Sequence, residues 1–197
     1  GEYWLKLATL LRDKLDRLED AVGCFNKVIE EQPEHPGALE ALAELHSLLE
    51  NWAALIGTLR AQVEITPNFS EQVQLAVRVG EIYENQMADE QAAIGAYKEV
   101  LELDERAEAA LLALARLYRS RGEWENLIGI HEMQIEANPQ DEVAFRLIIG
   151  GILSGEVNDQ DKAIETFEGI LDLEPSNKEA LGELERLYQE RSDWEGL

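Results

Sequence analysis

Basic residues are scarce in this sequence. Its 197 residues hold 17 Lys and Arg against 41 Asp and Glu, a formal charge of −24. A field of that sign repels the phosphate backbone, which proteins grip mainly through Lys and Arg, and it repels anionic membrane surfaces too. Nucleic acid and membrane partners are therefore not expected. The acidic surface either keeps the protein in solution or attracts a basic partner. Cysteine is limited to Cys24, so an internal disulfide is impossible. Beside Phe25 on an apolar helix face, that thiol reads as buried and inert. The lack of a cysteine framework points to a reducing, cytoplasmic setting. No apolar run approaches the ~18 residues of a membrane-spanning helix. The 5 prolines and 14 glycines form no linker-like cluster, which favours one continuous domain over residues 1–197.

What the chain does have is internal repetition. Ala21-Val-Gly-Cys-Phe25, Ala93-Ile-Gly-Ala-Tyr97 and Ala163-Ile-Glu-Thr-Phe167 align with one another at a long period of about 70 residues. Trp52, Trp124 and Trp194 recur at the same two intervals. Each long period holds two units, whose ends fall at Pro33, Pro67, Glu105, Pro139 and Pro175. Amphipathic patterning at i, i+3, i+4 and i+7 predicts helices over 2–14, 18–31, 36–49, 52–65, 70–86, 89–103, 106–121, 124–137, 141–155, 159–173 and 177–191. Asp89, Asp159 and Ser176 are the expected N-caps, and each unit-ending proline stops a second helix.

A step of about 34 residues, with a small–x3–aromatic helix closed by proline, resembles the tetratricopeptide repeat. Trp4-x2-Leu7-Ala8-x2-Leu11…Ala21-x3-Phe25…Pro33 follows that pattern, as does Val79-Gly80-x2-Tyr83…Ala93-x3-Tyr97. The resemblance implies an all-α fold, a right-handed superhelical solenoid of helix–turn–helix repeats at about 1–34, 35–68, 69–106, 107–140 and 141–176, with 177–197 incomplete. It implies a scaffold that binds a peptide or partner helix in the groove lined by first helices. A structural spacer or self-assembling array is the alternative. Even units depart from the family pattern: Leu55, Leu127 and Leu197 open their second helices where a small residue is usual. An incomplete last unit with Leu181, Leu184, Leu187 and Tyr188 on one face suggests a piece of a longer bacterial-type array, with end-to-end association of the fragment.

Residue chemistry for catalysis is thin. His46 and His131 stand where the family pattern has aromatic residues, and both read as core positions bonded to a backbone or carboxylate group. His35 opens a helix at an exposed position and lies about 16 Å along the chain's helix from His46, too far to share a metal. Ser154 and Ser192 have no adjacent His and Asp, and Gly150-Gly151 lies inside a helix rather than in a phosphate loop. No enzyme, cofactor or metal site is expected.

The candidate site is the inner stripe of the first helices. Stepping along one helix face gives Glu40–Glu44 and Glu81–Glu84 as acidic stretches, then Leu112–Arg116–Arg119, Leu147–Gly151 and Arg186. The arginines either pair with neighbouring glutamates or hold the acidic end of a peptide. The Lys and Asn clamp by which chaperone adaptors of this family hold a terminal carboxylate is absent. Because repeats rest mainly on their neighbours, deleting residues 141–197 is expected to leave a shorter array that still folds. Circular dichroism of that truncation showing no helix would contradict the repeat reading.

Overall fold

The computed structural model describes residues 2–15 and 17–191. Among them the regular structure is helical, with no strand. The helices are α1 (Glu2–Leu15), α2 (Leu18–Glu31), α3 (Pro36–Leu48), α4 (Trp52–Ile65), α5 (Phe69–Asn85) and α6 (Glu90–Leu103). They continue as α7 (Glu108–Arg121), α8 (Trp124–Ala137), α9 (Glu142–Ile152), α10 (Gln160–Leu173) and α11 (Lys178–Arg191). Two compact units result, Gly1–Asp104 and Glu105–Leu197. In each, successive helices pack on one another as antiparallel hairpins. Trp194, Leu197 and Ser192 lie outside the described residues.

Helix starts follow local chemistry. Asp89 and Asp159 cap α6 and α10, their Oδ1 atoms accepting from Ala92 N at 3.0 Å and Lys162 N at 3.1 Å. At α11 the cap is Asn177, which accepts from Ala180 N at 3.0 Å, and not the expected Ser176. The helix begins one residue later than the pattern suggested, which puts Ser176 outside the capping position. Helices α2, α4, α8 and α10 stop two residues before Pro33, Pro67, Pro139 and Pro175. The end of α9 also differs from expectation, because the helix loosens into a π-turn over Leu153–Val157. Gly150, Gly151 and Gly155 lower helix propensity there, and the segment closes through Asp159 N to Leu153 O at 2.8 Å.

Two hairpins, α5–α6 and α9–α10, close on a glycine facing a ring. A methyl group added at Gly80 would lie 2.5 Å from the Tyr97 ring, and one at Gly150 would lie 2.6 Å from the Phe167 ring. Both rings are buried. In the first hairpin Ala8 and Phe25 belong to the same core cluster. Trp52 packs on the core around Leu55 and Leu59, as its recurrence at a turn suggested. On α11 the expected uncovered apolar face is only partly present. Leu184 and Leu187 are buried against the α9–α10 core, and Leu181 alone of the three leucines is exposed.

The turns between paired helices require left-handed backbone. Gly122 has φ +67, and Glu50, one long period earlier, has φ +52. A β-carbon is unfavourable there, by of order 1 kcal/mol. Glu50→Gly is expected to raise the urea midpoint and add roughly 0.5–1 kcal/mol. Gly150→Ala, which presses a methyl into the Phe167 ring, is expected to cost about 1–3 kcal/mol. Equal midpoints for wild type and both variants would contradict this account of the hairpin.

Candidate functional site

In the first unit, Glu40 and Glu44 on α3 border a groove of about 380 Å³ closed by α4 and the start of α5. The structure adds Glu71, Gln62 and Arg78 to it, none of which the stripe pattern indicated. Glu44 also lies 3.7 Å from Arg12 Nη1. Glu81 and Glu84 are carried farther along α5, away from that groove. Glu81 is exposed, while half-buried Glu84 accepts from the Tyr97 hydroxyl at 3.1 Å.

In the second unit, the corresponding groove lies between α7, the end of α8 and the start of α9, with a volume of about 280 Å³. Leu112 borders it and is 54% exposed. Phe145, Leu111 and Gln134 also line it, together with the charged Arg106, Glu108 and Asp141. Arg116 and Arg119 follow Leu112 on the same face of α7, both exposed. Gly151 is exposed on α9, and a β-carbon there would meet open space. Leu147 instead packs half-buried against the α9–α11 core, so it is not a groove residue. Arg186 is engaged on its own helix, with Glu183 and Glu190 each at 2.8 Å. Leu112, Arg116 and Arg119 thus lie on α7 and Gly151 on α9, and of the four Leu112 alone lines that groove. The helix pattern missed Phe145 and Gln134, although Gln134 repeats Gln62 one long period on.

Tetratricopeptide repeat profiles match residues 2–35 and 110–144. The chain carries tetratricopeptide repeats. No curated protein sequence matches it. Among solved structures it is similar to MamA, at 20% identity over 87% of this chain and 90% of that one, with a TM-score of 0.46. It is also similar to YrrB, described as a TPR protein with an unusual peptide-binding site, at 17% identity, 91% and 89% coverage and a TM-score of 0.45. A thermophilic TPR protein of Thermus thermophilus, TTC0263, is similar at 18% identity, 95% and 98% coverage and a TM-score of 0.39.

The three histidines lie at a helix cap and in the core. His35 Nδ1 accepts from Ala38 N at 3.1 Å and caps α3; the residue is half-buried rather than exposed. His46 and His131 are buried, as expected, but His131 bonds a side-chain amide and not the expected backbone or carboxylate group. His131 Nδ1 pairs with the Gln134 amide Oε1 at 2.7 Å, and its ring stacks on Phe145 at 5.6 Å. His131 Nε2 and His46 Nδ1 have no hydrogen-bond partner among the described residues. Among the described residues no group of three or more His, Cys, Asp and Glu is placed to hold a metal, and no helix is long and apolar enough to cross a membrane. Cys24 is buried.

Burial lowers the pKa of His46. Burial, the dominant cause, and the nearby Arg119 charge lower that of His131, against the opposing effect of Gln134. A folded pKa below the unfolded one means that the unfolded chain binds more protons in between. The stability from keeping these rings neutral is thus full above about pH 6.5 and is lost as pH falls through the lowered folded values. At the equivalent positions of the other unit, His46 is replaced by Tyr118 and His131 by Leu59, both buried. The double variant His46→Tyr, His131→Leu is expected to flatten the fall in urea midpoint between about pH 6.5 and 5. A slope identical to wild type would show that neither histidine is the titrating group.

Proposed function

We propose that this chain is a protein–protein interaction scaffold that binds a peptide or helix of a partner on the face made by its first helices. Tetratricopeptide repeats serve as interaction scaffolds, and the local chemistry supports that use here. In the second unit an acidic or C-terminal segment docks across Leu112 and Gly151, with Arg116 and Arg119 supplying charge-assisted hydrogen bonds. In the first unit Glu40, Glu44, Glu81 and Glu84 favour a basic segment. The observation that carries the reading is Gly151: an exposed glycine in a helix costs about 1 kcal/mol relative to alanine. No packing explains its missing side chain, whereas adjacent Gly150 is explained by the Phe167 ring. A bare helix surface lets a ligand backbone approach.

One observation favours the spacer alternative. Arg12 reaches Glu44 across helices, so that part of the stripe laces neighbouring repeats together, and Arg186 is tied to glutamates on its own helix. The two readings separate in a capture experiment with the whole chain as bait and crosslinked partners identified. Gly151→Leu is expected to reduce capture at least ten-fold while leaving the circular dichroism spectrum unchanged. Capture unaffected by Gly151→Leu, or no partner at all, would favour the spacer.

A further inference from the structure

Ala76 on α5 and Arg146 on α9 are equivalent residues, one long period apart, and so are Glu99 on α6 and Gly169 on α10. The two units differ in what fills the space between them. In the second unit Arg146 is half-buried, and its Nε donates to Glu142 Oε1 at 2.7 Å. Its Nη1 lies 3.3 Å from where a β-carbon on Gly169 would stand. The guanidinium thus rests on α10 at a residue with no side chain.

In the first unit Ala76 ends at its β-carbon, and a groove of about 370 Å³ opens there between α4, α5 and α6. Val63, Ala76 and Val79 give it apolar lining, and Leu103 adds a side chain that is 42% exposed. Four charged residues share that lining, Arg60, Glu64, Glu99 and Glu102. Arg60 is already engaged, its Nη2 donating to both Glu99 carboxylate oxygens at 2.9 and 3.2 Å. Glu64 and Glu102 are exposed, with neither an ion pair nor a hydrogen bond among the described residues. The groove therefore keeps two unanswered carboxylates beside an apolar lining. None of Glu40, Glu44, Glu81 and Glu84 lines it, so it is separate from the first-helix stripe.

This pairing of surfaces selects its occupant. Apolar lining does nothing for a bare cation, whereas a long basic side chain lays its methylenes on apolar surface and keeps its charged head at the edge. A guanidinium is more weakly hydrated than an ammonium and bonds a carboxylate through two parallel N–H groups. Arg146 shows that the equivalent place in this fold accommodates one. A chain of formal charge −24 also draws a basic partner toward it.

We propose that the groove between α4, α5 and α6 takes an arginine side chain of a partner protein, which fills in the first unit the place that Arg146 fills in the second. Its methylenes lie on Val63, Ala76 and Leu103, and its guanidinium reaches Glu64 and Glu102. The Arg60–Glu99 pair stays in place beside it. This site does not depend on the first-helix face or on Gly151.

The test is to pan a random peptide library displayed on phage against the whole chain, with counter-selection on Ala76→Arg, which puts the chain's own arginine in the groove. Peptides that enrich are expected to share an arginine, and replacing it by citrulline, its neutral isostere, should weaken binding at least ten-fold. Ala76→Arg should weaken the best peptide to the same degree. The double variant Glu64→Gln, Glu102→Gln changes only exposed side chains, so it reads the groove even where Ala76→Arg disturbs the helix. It should weaken the arginine peptide several-fold and leave the citrulline peptide unaffected. The Val63 and Leu103 methyl signals should shift in the ¹H–¹³C spectrum when the peptide is added, and Gly151→Leu should leave the affinity unchanged. Peptides that carry no arginine, that ignore the double variant, or that lose affinity with Gly151→Leu overturn this groove; the last of these moves the binding to the first-helix face. Failure to enrich any peptide against wild type over Ala76→Arg overturns it as well, and leaves the first-helix reading to its own capture experiment.

Discussion

The contact on which the α5–α6 and α9–α10 hairpins depend is a ring on the second helix pressed against a glycine of the first. Tyr97 covers Gly80 and Phe167 covers Gly150 so closely that even a methyl group would collide. That closeness fixes which face of α5 and of α9 is buried. The next residue along, Glu81 or Gly151, is turned out to solvent as a consequence. The exposed stripe of the first helices is therefore the geometric complement of the ring contact, and its chemistry is not needed for packing.

Freed from packing, equivalent positions in the two units have diverged. Glu40 corresponds to Leu112 and Glu44 to Arg116, each pair separated by the same long period, while in the core Leu59 corresponds to His131. Gln62 and Gln134 keep their identity across that interval, yet only Gln134 has an imidazole beside it to hold its amide. Similar backbones thus present a groove bordered by Glu40, Glu44, Glu71 and Arg78 in one unit and one that sets Leu112 and Phe145 among Arg106, Glu108 and Asp141 in the other. A fold of this kind supplies the face, and substitutions on it decide what the face can hold.

Charge acts on a shorter range. In a chain of formal charge −24, several basic side chains find carboxylates on their own or an adjacent helix, as with Arg12 and Asp13, Arg60 and Glu99, or Arg191 and Asp161. Such exposed pairs contribute only about 0–1 kcal/mol each. Their effect on the surface is larger than their effect on stability, because a guanidinium already engaged on its own helix, like that of Arg186, is less available to a ligand.

Helix boundaries and the ring contact were legible in the amino-acid sequence. Caps at Asp89 and Asp159 and stops before Pro33, Pro67, Pro139 and Pro175 depend on a few consecutive residues, and the Gly–aromatic pairing repeats at a readable interval. The π-turn after Ile152 was not legible, since it arises from the way a glycine-rich helix end meets the following turn. The groove residues were legible only in part. A helical period says that Leu112, Arg116 and Arg119 share a face, and that much the sequence by itself determined. It does not say which side chains of the next helices come to border that face. Only the tertiary structure placed Phe145 and Gln134 beside Leu112, withdrew Leu147 into the core and tied Arg186 to Glu183 and Glu190. Those outcomes depend on the rotation and spacing of one helix against another, which packing of the whole unit sets and no single helix encodes.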